Sequence, residues 1–240
     1  MVTTHPGGPT EPHAQSVSGR LNWLRAGVLG ANDGIVSTAG LVAGVAGATS
    51  DRGTLLAAGF AGMLAGALSM AVGEYVSVST QRDTERALID KERQELHDDP
   101  DGELDELSGL YERKGLSGSL ARRVAGELTR RDALGAHLEV ELGIDPSDLT
   151  SPWQASLASF VAFMTGAMVP LLAILATPAA IRLPVTLAAV LLAMGLTGSV
   201  SARLGGARQR RAVVRNVVGG ACVMVITYAV GLLIGASGAI

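Results

Sequence analysis

The chain has 240 residues, a net charge of −3, one cysteine, and 48% hydrophobic residues with only 3% aromatic ones. A positive mean hydropathy at this length excludes an ordinary soluble domain. The lone Cys222 excludes an intrachain disulfide and argues against a thiolate metal site, and nothing in the charge balance calls for a nucleic-acid partner. Thirty-one glycines suit membrane helices that pack backbone to backbone.

In chain order, Met1–Ser18 is rich in Pro, Gly, Thr and His, lacks an apolar core, and reads as a disordered tail, not a signal peptide. Five stretches then have the length and apolarity of membrane spans: Arg25–Thr49, Thr54–Thr80, Pro152–Ala176, Pro184–Arg203 and Val213–Ser237. The third contains Pro170, tolerated in a membrane helix where neighbours satisfy the freed backbone groups. Short links at Ser50–Gly53 and Thr177–Leu183 make antiparallel neighbours of the spans they join. Small residues recur at packing spacing in Gly40/Gly44, Gly62/Gly66 and Gly231/Gly235.

Between the second and third spans the composition changes. Of the 22 acids, 18 fall between Asp83 and Asp148. Gln81–Leu96 is rich in helix formers and ends at His97–Gly102; a second helix is predicted over Glu103–Lys114 and a third over Ser119–Leu142. Leu107, Leu110, Leu116, Leu120, Val124, Leu128, Leu134 and Leu138 are the predicted interior. The fold class is therefore all-α: an integral membrane protein with five transmembrane helices and a cytoplasmic three-helix metal-binding domain inserted between the second and third spans. The divisions are 1–20 (tail), 21–80 (spans one and two), 81–150 (helical insert) and 151–240 (spans three to five). Arginines cluster before the first span, after the second and around the fourth-to-fifth connection, whereas the other connections carry only Arg52 and Arg182. By the positive-inside rule the N-terminus and the acidic insert are cytoplasmic and the C-terminus is outside.

Two acids inside apolar spans, Asp33 and Glu74, carry the chemistry, because intramembrane carboxylates are costly and usually mark an ion or proton path. Met63, Met70 and Glu74 share one helical stripe, a thioether–carboxylate combination suited to Fe²⁺ and other late divalents. The bland alternatives are that Met63 and Met70 fill core or face lipid, that Glu74 snorkels, and that Asp33 is an interhelical hydrogen-bond partner. Asp33-Gly34 also permits a local helix break whose carbonyls help hold a cation. An acid there binds proton or metal but not both, which is the basis of antiport.

In the insert, Glu92/Glu95 and Glu103/Glu106 are pairs three apart that a helix hairpin brings face to face, with Glu139, Glu141 and His137 closing the cluster. Oxygen donors with one imidazole suit Fe²⁺, Mn²⁺ and Zn²⁺, and Co²⁺ fits the same set; the bland alternative for such pairs is a solvated face. A di-iron oxidase is a rival reading, but it requires Glu-x-x-His on two helices, and that motif is absent. A membrane-anchored metal sensor or store is the other rival, although an anchor needs no acids in its spans.

These residues resemble the vacuolar iron transporter (VIT) family from Leu21 onward. The most specific matches are Gly30-Ala31-Asn32-Asp33-Gly34-Ile35-Val36-Ser37 and Ala67-Leu68-Ser69-Met70-Ala71-Val72-Gly73-Glu74-Tyr75, joined by Glu141-Leu142-Gly143 and Gly166-Ala167-Met168-Val169-Pro170-Leu171. The resemblance implies a homodimeric, five-span, proton-coupled exporter of cytosolic Fe²⁺, with Mn²⁺ carried by some members, and not an enzyme. It implies no prosthetic group, with the metal as substrate, and divalent ions, protons and the bilayer as partners. Family pathway residues fall on Asp33 and Met70, with Glu74 less constant, and the cytoplasmic ligands fall on Glu92, Glu95, Glu103, Glu106 and Glu141. Methionines of plant relatives are replaced here by His137 and Leu138, so that His137 stands in as a nitrogen ligand; Glu139 has no clear counterpart. The composition leans towards a bacterial source, which would make the membrane the plasma membrane.

Overall fold

A computed structural model describes residues 17–144 and 150–237, with side chains from Ala26 onward. The tail predicted to be disordered lies outside the described residues up to position 16. Seven α-helices are present among the described residues: α1 (Val17–Ala48), α2 (Arg52–Asp98), α3 (Pro100–Arg113), α4 (Gly118–His137), α5 (Pro152–Ala176), α6 (Arg182–Leu204) and α7 (Gln209–Ala236). A π-helical turn, Leu138–Leu142, follows α4, and no strand occurs among the described residues. Ala26–Ala48, α2, α5, α6 and α7 are each long and apolar enough to cross a bilayer. The chain is a multi-pass membrane protein. It divides into two compact units, Met1–Val76 with Pro152–Ile240, and Ser77–Ser151.

In the first unit α1 is the central helix and packs on α5, α6 and α7. The contacts are close because glycines carry them. A Cβ on Gly34 would sit 2.1 Å from the carbonyl oxygen of Phe163, and one on Gly231 would sit 1.9 Å from that of Gly44. Without a hydrophobic driving force in lipid, dense van der Waals contact of this kind is what joins helices. Gly34 thus serves close approach, and α1 runs unbroken through Asp33-Gly34; the predicted local break does not occur. Polar contacts add to the packing. Thr197 Oγ1 donates to Asn32 Oδ1 at 2.6 Å, and Ser156 Oγ donates to the Ala71 carbonyl at 2.8 Å. At helix ends, Arg52 donates to the Leu175 carbonyl at 2.7 Å, satisfying a C-terminal group of α5.

Two apolar clusters fill this unit, one around Phe163, Leu55, Met63 and Leu171, the other around Ile35, Val190, Met194 and Met224. Met63 is therefore a core residue, as its bland reading had it. The outer faces are apolar as well, with Leu192 and Leu233 among the most exposed side chains, as suits a lipid-facing surface. α2 differs from α1 in that it meets its neighbours through side chains, its backbone standing off from theirs.

The second unit begins at Ser77, near the middle of α2, which continues without interruption to Asp98. Asp99 then caps α3, its Oδ1 accepting from the Gly102 N–H at 3.0 Å, with Pro100 at the first helical position. α3 packs on α4 around Leu107, Ala125 and Ala136, joined by Leu110 and Leu128. Leu120, predicted as interior, is 40% exposed, while Ala121 and Ala125 are fully buried. The helices meet along alanines, which lets them come closer than a leucine seam would. The predicted continuous third helix is broken at Asp132, whose backbone is extended (φ −163°, ψ 89°) and whose Oδ1 accepts from the Gly135 N–H at 3.0 Å. Asp132 thus caps a fresh helical turn inside α4.

Candidate functional site

The break at Asp132 and the π-turn after it decide where the site residues point. Gly135 N–H is satisfied by the Asp132 carboxylate, the chain re-enters a helix, and His137 lands in the interior, fully buried. The π-turn widens the next turn, so that Glu141 comes back beneath His137, with Oε2 3.4 Å from Nδ1. Single π-turns of this kind concentrate at functional sites. Gly143, at φ +64°, closes the turn in the left-handed conformation.

Around His137 Nδ1 three carboxylates converge. Glu92 Oε1 of α2 is 2.9 Å away, Glu141 Oε2 3.4 Å and Glu103 Oε2 of α3 3.6 Å. Donor atoms of Glu92, His137 and Glu141 all lie within 4.8 Å of one another, a spacing one cation can bridge. Glu92 is only 3% exposed, unusual for an acid. The 2.9 Å approach to His137 lacks hydrogen-bond alignment. Glu92 Oε1 and His137 Nε2 are both buried without a hydrogen-bond partner. Each such orphan costs about 1–3 kcal/mol. Burial holds the Glu92 carboxyl above the usual glutamate range, the charge of Glu141 adds to that, and the imidazole opposes it. Glu103 is raised for the same leading reason, with His137 opposing and Glu106 reinforcing. A divalent cation supplies what this arrangement lacks: charge to offset three acids and a partner for the unpaired oxygen.

The remaining predicted ligands stand at the margin. Glu95 is half-buried and holds Lys91, whose Nζ lies 2.7 Å from Oε1. Lys91 was not singled out from the sequence, although its position one turn before Glu95 is the standard spacing for such a pair. Glu106 and Glu139 are exposed. Burial raises the Tyr111 hydroxyl and the charge of Glu139 raises it further.

In the first unit, Asp33 and Met70 line one cavity of about 320 Å³. Ser37, Thr38 and Leu41 of α1, Gly62, Gly66 and Ser69 of α2, and Phe163 of α5 complete its wall. The absent side chains at Gly62 and Gly66 make room, since a Cβ there would collide with Leu41 and with the Phe163 ring. Ser37 Oγ donates to the Asp33 backbone carbonyl at 2.5 Å, which leaves the Asp33 carboxylate to the cavity. Glu74, one turn beyond Met70, is half-buried and lies outside this lining.

The VIT family model matches residues 24–232. A vacuolar iron transporter of Acanthamoeba castellanii is 44% identical over 97% of this chain and 86% of its own length. Vacuolar iron transporter homolog 5 of Oryza sativa subsp. japonica is 38% identical over 92% of this chain and 85% of its own. Vacuolar iron transporter homolog 4 of Arabidopsis thaliana is 36% identical over 92% and 88% respectively. The match extends through the three spans that carry the cavity residues and the acidic unit that carries the cluster, and on it the chain belongs to the VIT family.

Proposed function

We propose that this protein exports cytosolic Fe²⁺, and Mn²⁺ with it, across its membrane in exchange for protons, working as a homodimer. The family is one of transporters, and its relatives bear the name of iron transporters; the metal is cargo, not a prosthetic group. The observation that carries the proposal is the Glu92–His137–Glu141 donor set, with Glu92 and His137 buried, Glu141 at its open side and Glu103 beside it. This set captures the ion. Its oxygen and nitrogen donors suit Fe²⁺ and Mn²⁺ and also admit Co²⁺ and Zn²⁺. Glu95 and Glu106 contribute negative field that raises the local cation concentration.

Asp33 and Met70 form the path in the membrane, one hard donor and one soft donor lining the same space. A proton and a divalent ion compete for the Asp33 carboxylate, so loading from one side and release to the other exchanges them. Glu74 stands at the cytosolic end of the second span and guides ions to that path. The arginine distribution supports an orientation with the acidic unit in the cytosol and the C-terminus on the far side. That orientation empties metal from the cytosol, into a vacuole-like lumen in the relatives' setting or across the plasma membrane in a bacterium.

The test is flux in liposomes containing the full chain, with Fe²⁺, Mn²⁺, Co²⁺ and Zn²⁺ supplied under two opposite pH gradients. Uptake that follows the proton gradient, and falls at least tenfold in Asp33→Asn, is the expected result. Metal movement indifferent to the gradient ends the antiport reading. Equal flux in Asp33→Asn ends the assignment of the path.

A further inference from the structure

Hydroxyls inside membrane helices normally donate to the carbonyl one turn back, since no water is present to satisfy them. Thr165, Thr186, Ser199 and Thr227 all do so here, at 2.7–2.9 Å. Thr38 does not. It is 2% exposed, and its Oγ1 has no hydrogen-bond partner. It also sits near the middle of the Ala26–Ala48 span, where an unsatisfied polar group is most costly. Thr38 lines the same cavity as Asp33 and Met70. Asp33 lies on the exposed side of that space and Thr38 on its buried wall, five residues or about 7.5 Å further along α1.

We propose that the Thr38 hydroxyl is a third contact for the cation in transit, an oxygen donor on the inner wall of the cavity that also holds the Asp33 carboxylate and the Met70 thioether. The inference rests on the path reading given above. A divalent ion entering the span loses hydration waters, and protein oxygens must replace them for passage to be fast. Asp33 supplies charge, Met70 a soft donor, and Thr38 a neutral oxygen that holds the ion without trapping it. A hydroxyl kept unpaired is available for this at no cost in broken hydrogen bonds.

Ser159 provides the internal control. It too is fully buried with an unpartnered hydroxyl, but it does not line the cavity. Thr38→Val keeps the shape and removes the oxygen, and loss of an orphan polar atom does not destabilise. In liposomes with the full chain, T38V is expected to lower maximal Fe²⁺ and Mn²⁺ flux about tenfold. Its melting temperature in detergent should be no lower than the parent's. T38S should restore flux to within about twofold, and S159A should leave it unchanged. Flux in T38V equal to the parent's overturns the proposal. So does equal impairment of T38S and T38V, which would mean that the methyl group matters and not the oxygen. Should T38V fail to fold, the same comparison between T38A and T38S decides. Asp33→Asn, run alongside, separates the two ideas: normal flux in D33N removes the path itself, whereas loss in D33N with normal T38V removes Thr38 alone.

Discussion

Replacing Glu92 with Gln should make the metal-free protein more stable and the metal-loaded protein less so. A carboxylate oxygen of Glu92 lies within 4.8 Å of one of Glu141. At an effective dielectric of about 20, two unit charges at that distance repel by about 3.5 kcal/mol. The nearby imidazole offsets part of this, and protonation relieves more, because burial and Glu141 hold the Glu92 carboxyl above its ordinary 4.5. A folded acid that keeps its proton longer than the unfolded chain stabilises the fold at low pH and loses that contribution as pH rises through the raised value. Parent protein without metal should therefore melt progressively lower as pH climbs from about 4.5 towards 8, and E92Q should flatten that slope. At pH 8 the variant is expected to gain about 2–3 kcal/mol, and near pH 5 almost nothing. Mn²⁺, which resists oxidation, reverses the ranking: at a hundredfold excess over Kd it adds about 2.7 kcal/mol to a protein that binds it. Melting of the full chain in detergent between pH 5 and 8, with and without Mn²⁺, reads both arms. If E92Q melts no higher than the parent at pH 8 without metal, repulsion does not govern the cluster. If Mn²⁺ stabilises E92Q as much as the parent, Glu92 is no ligand.

Two further outcomes follow from the same geometry. Mn²⁺ binding measured by calorimetry on the full chain should weaken between pH 7.5 and pH 5.5, because Glu92 and Glu103 both take up protons above the ordinary glutamate range; Glu103→Gln should bind more weakly and depend less on pH. Gly34→Ala puts a methyl group 2.1 Å from the Phe163 carbonyl oxygen, whereas Gly73→Ala meets nothing within 4 Å; G34A should lose about 1–3 kcal/mol in detergent melts while G73A stays near the parent.

The spans were readable from composition because lipid imposes a single requirement, an unbroken apolar run, and all five runs recur in helices, four of them within a few residues of their predicted limits and the second in a helix that continues past Thr80 to Asp98. Gly44 and Gly231 were readable as packing positions for the same reason: small residues at helical spacing have one main use in a bilayer. The acidic unit was harder. Its leucines suggested a leucine-filled interior, but Ala121 and Ala125 hold the core while Leu120 turns outward, a choice set by how closely two particular helices approach. The break in α4 was missed although it had a signal. Asp132-Ala133-Leu134-Gly135 has the same Asp-x-x-Gly form as Asp99–Gly102, and in both the Asp accepts from the Gly N–H. The π-turn had no such signal, although the four-residue spacing of His137 and Glu141 already put those two on one face. Thr38 was overlooked because a threonine in an apolar span looks ordinary until Thr165, Thr186, Ser199 and Thr227 are each seen to hold the carbonyl one turn back.

The two helices that supply most of the cavity wall are held in different ways. α1 is locked backbone to backbone, Gly34 against Phe163 and Gly44 against Gly231, with no slack for a shift of even one methyl's width. α2 meets its neighbours through side chains, with Met63 and Leu55 in the core and the Ser156 hydroxyl on its Ala71 carbonyl. Asp33 therefore stands on the helix fixed backbone to backbone, and Met70, across the same cavity, on the one fixed by side chains.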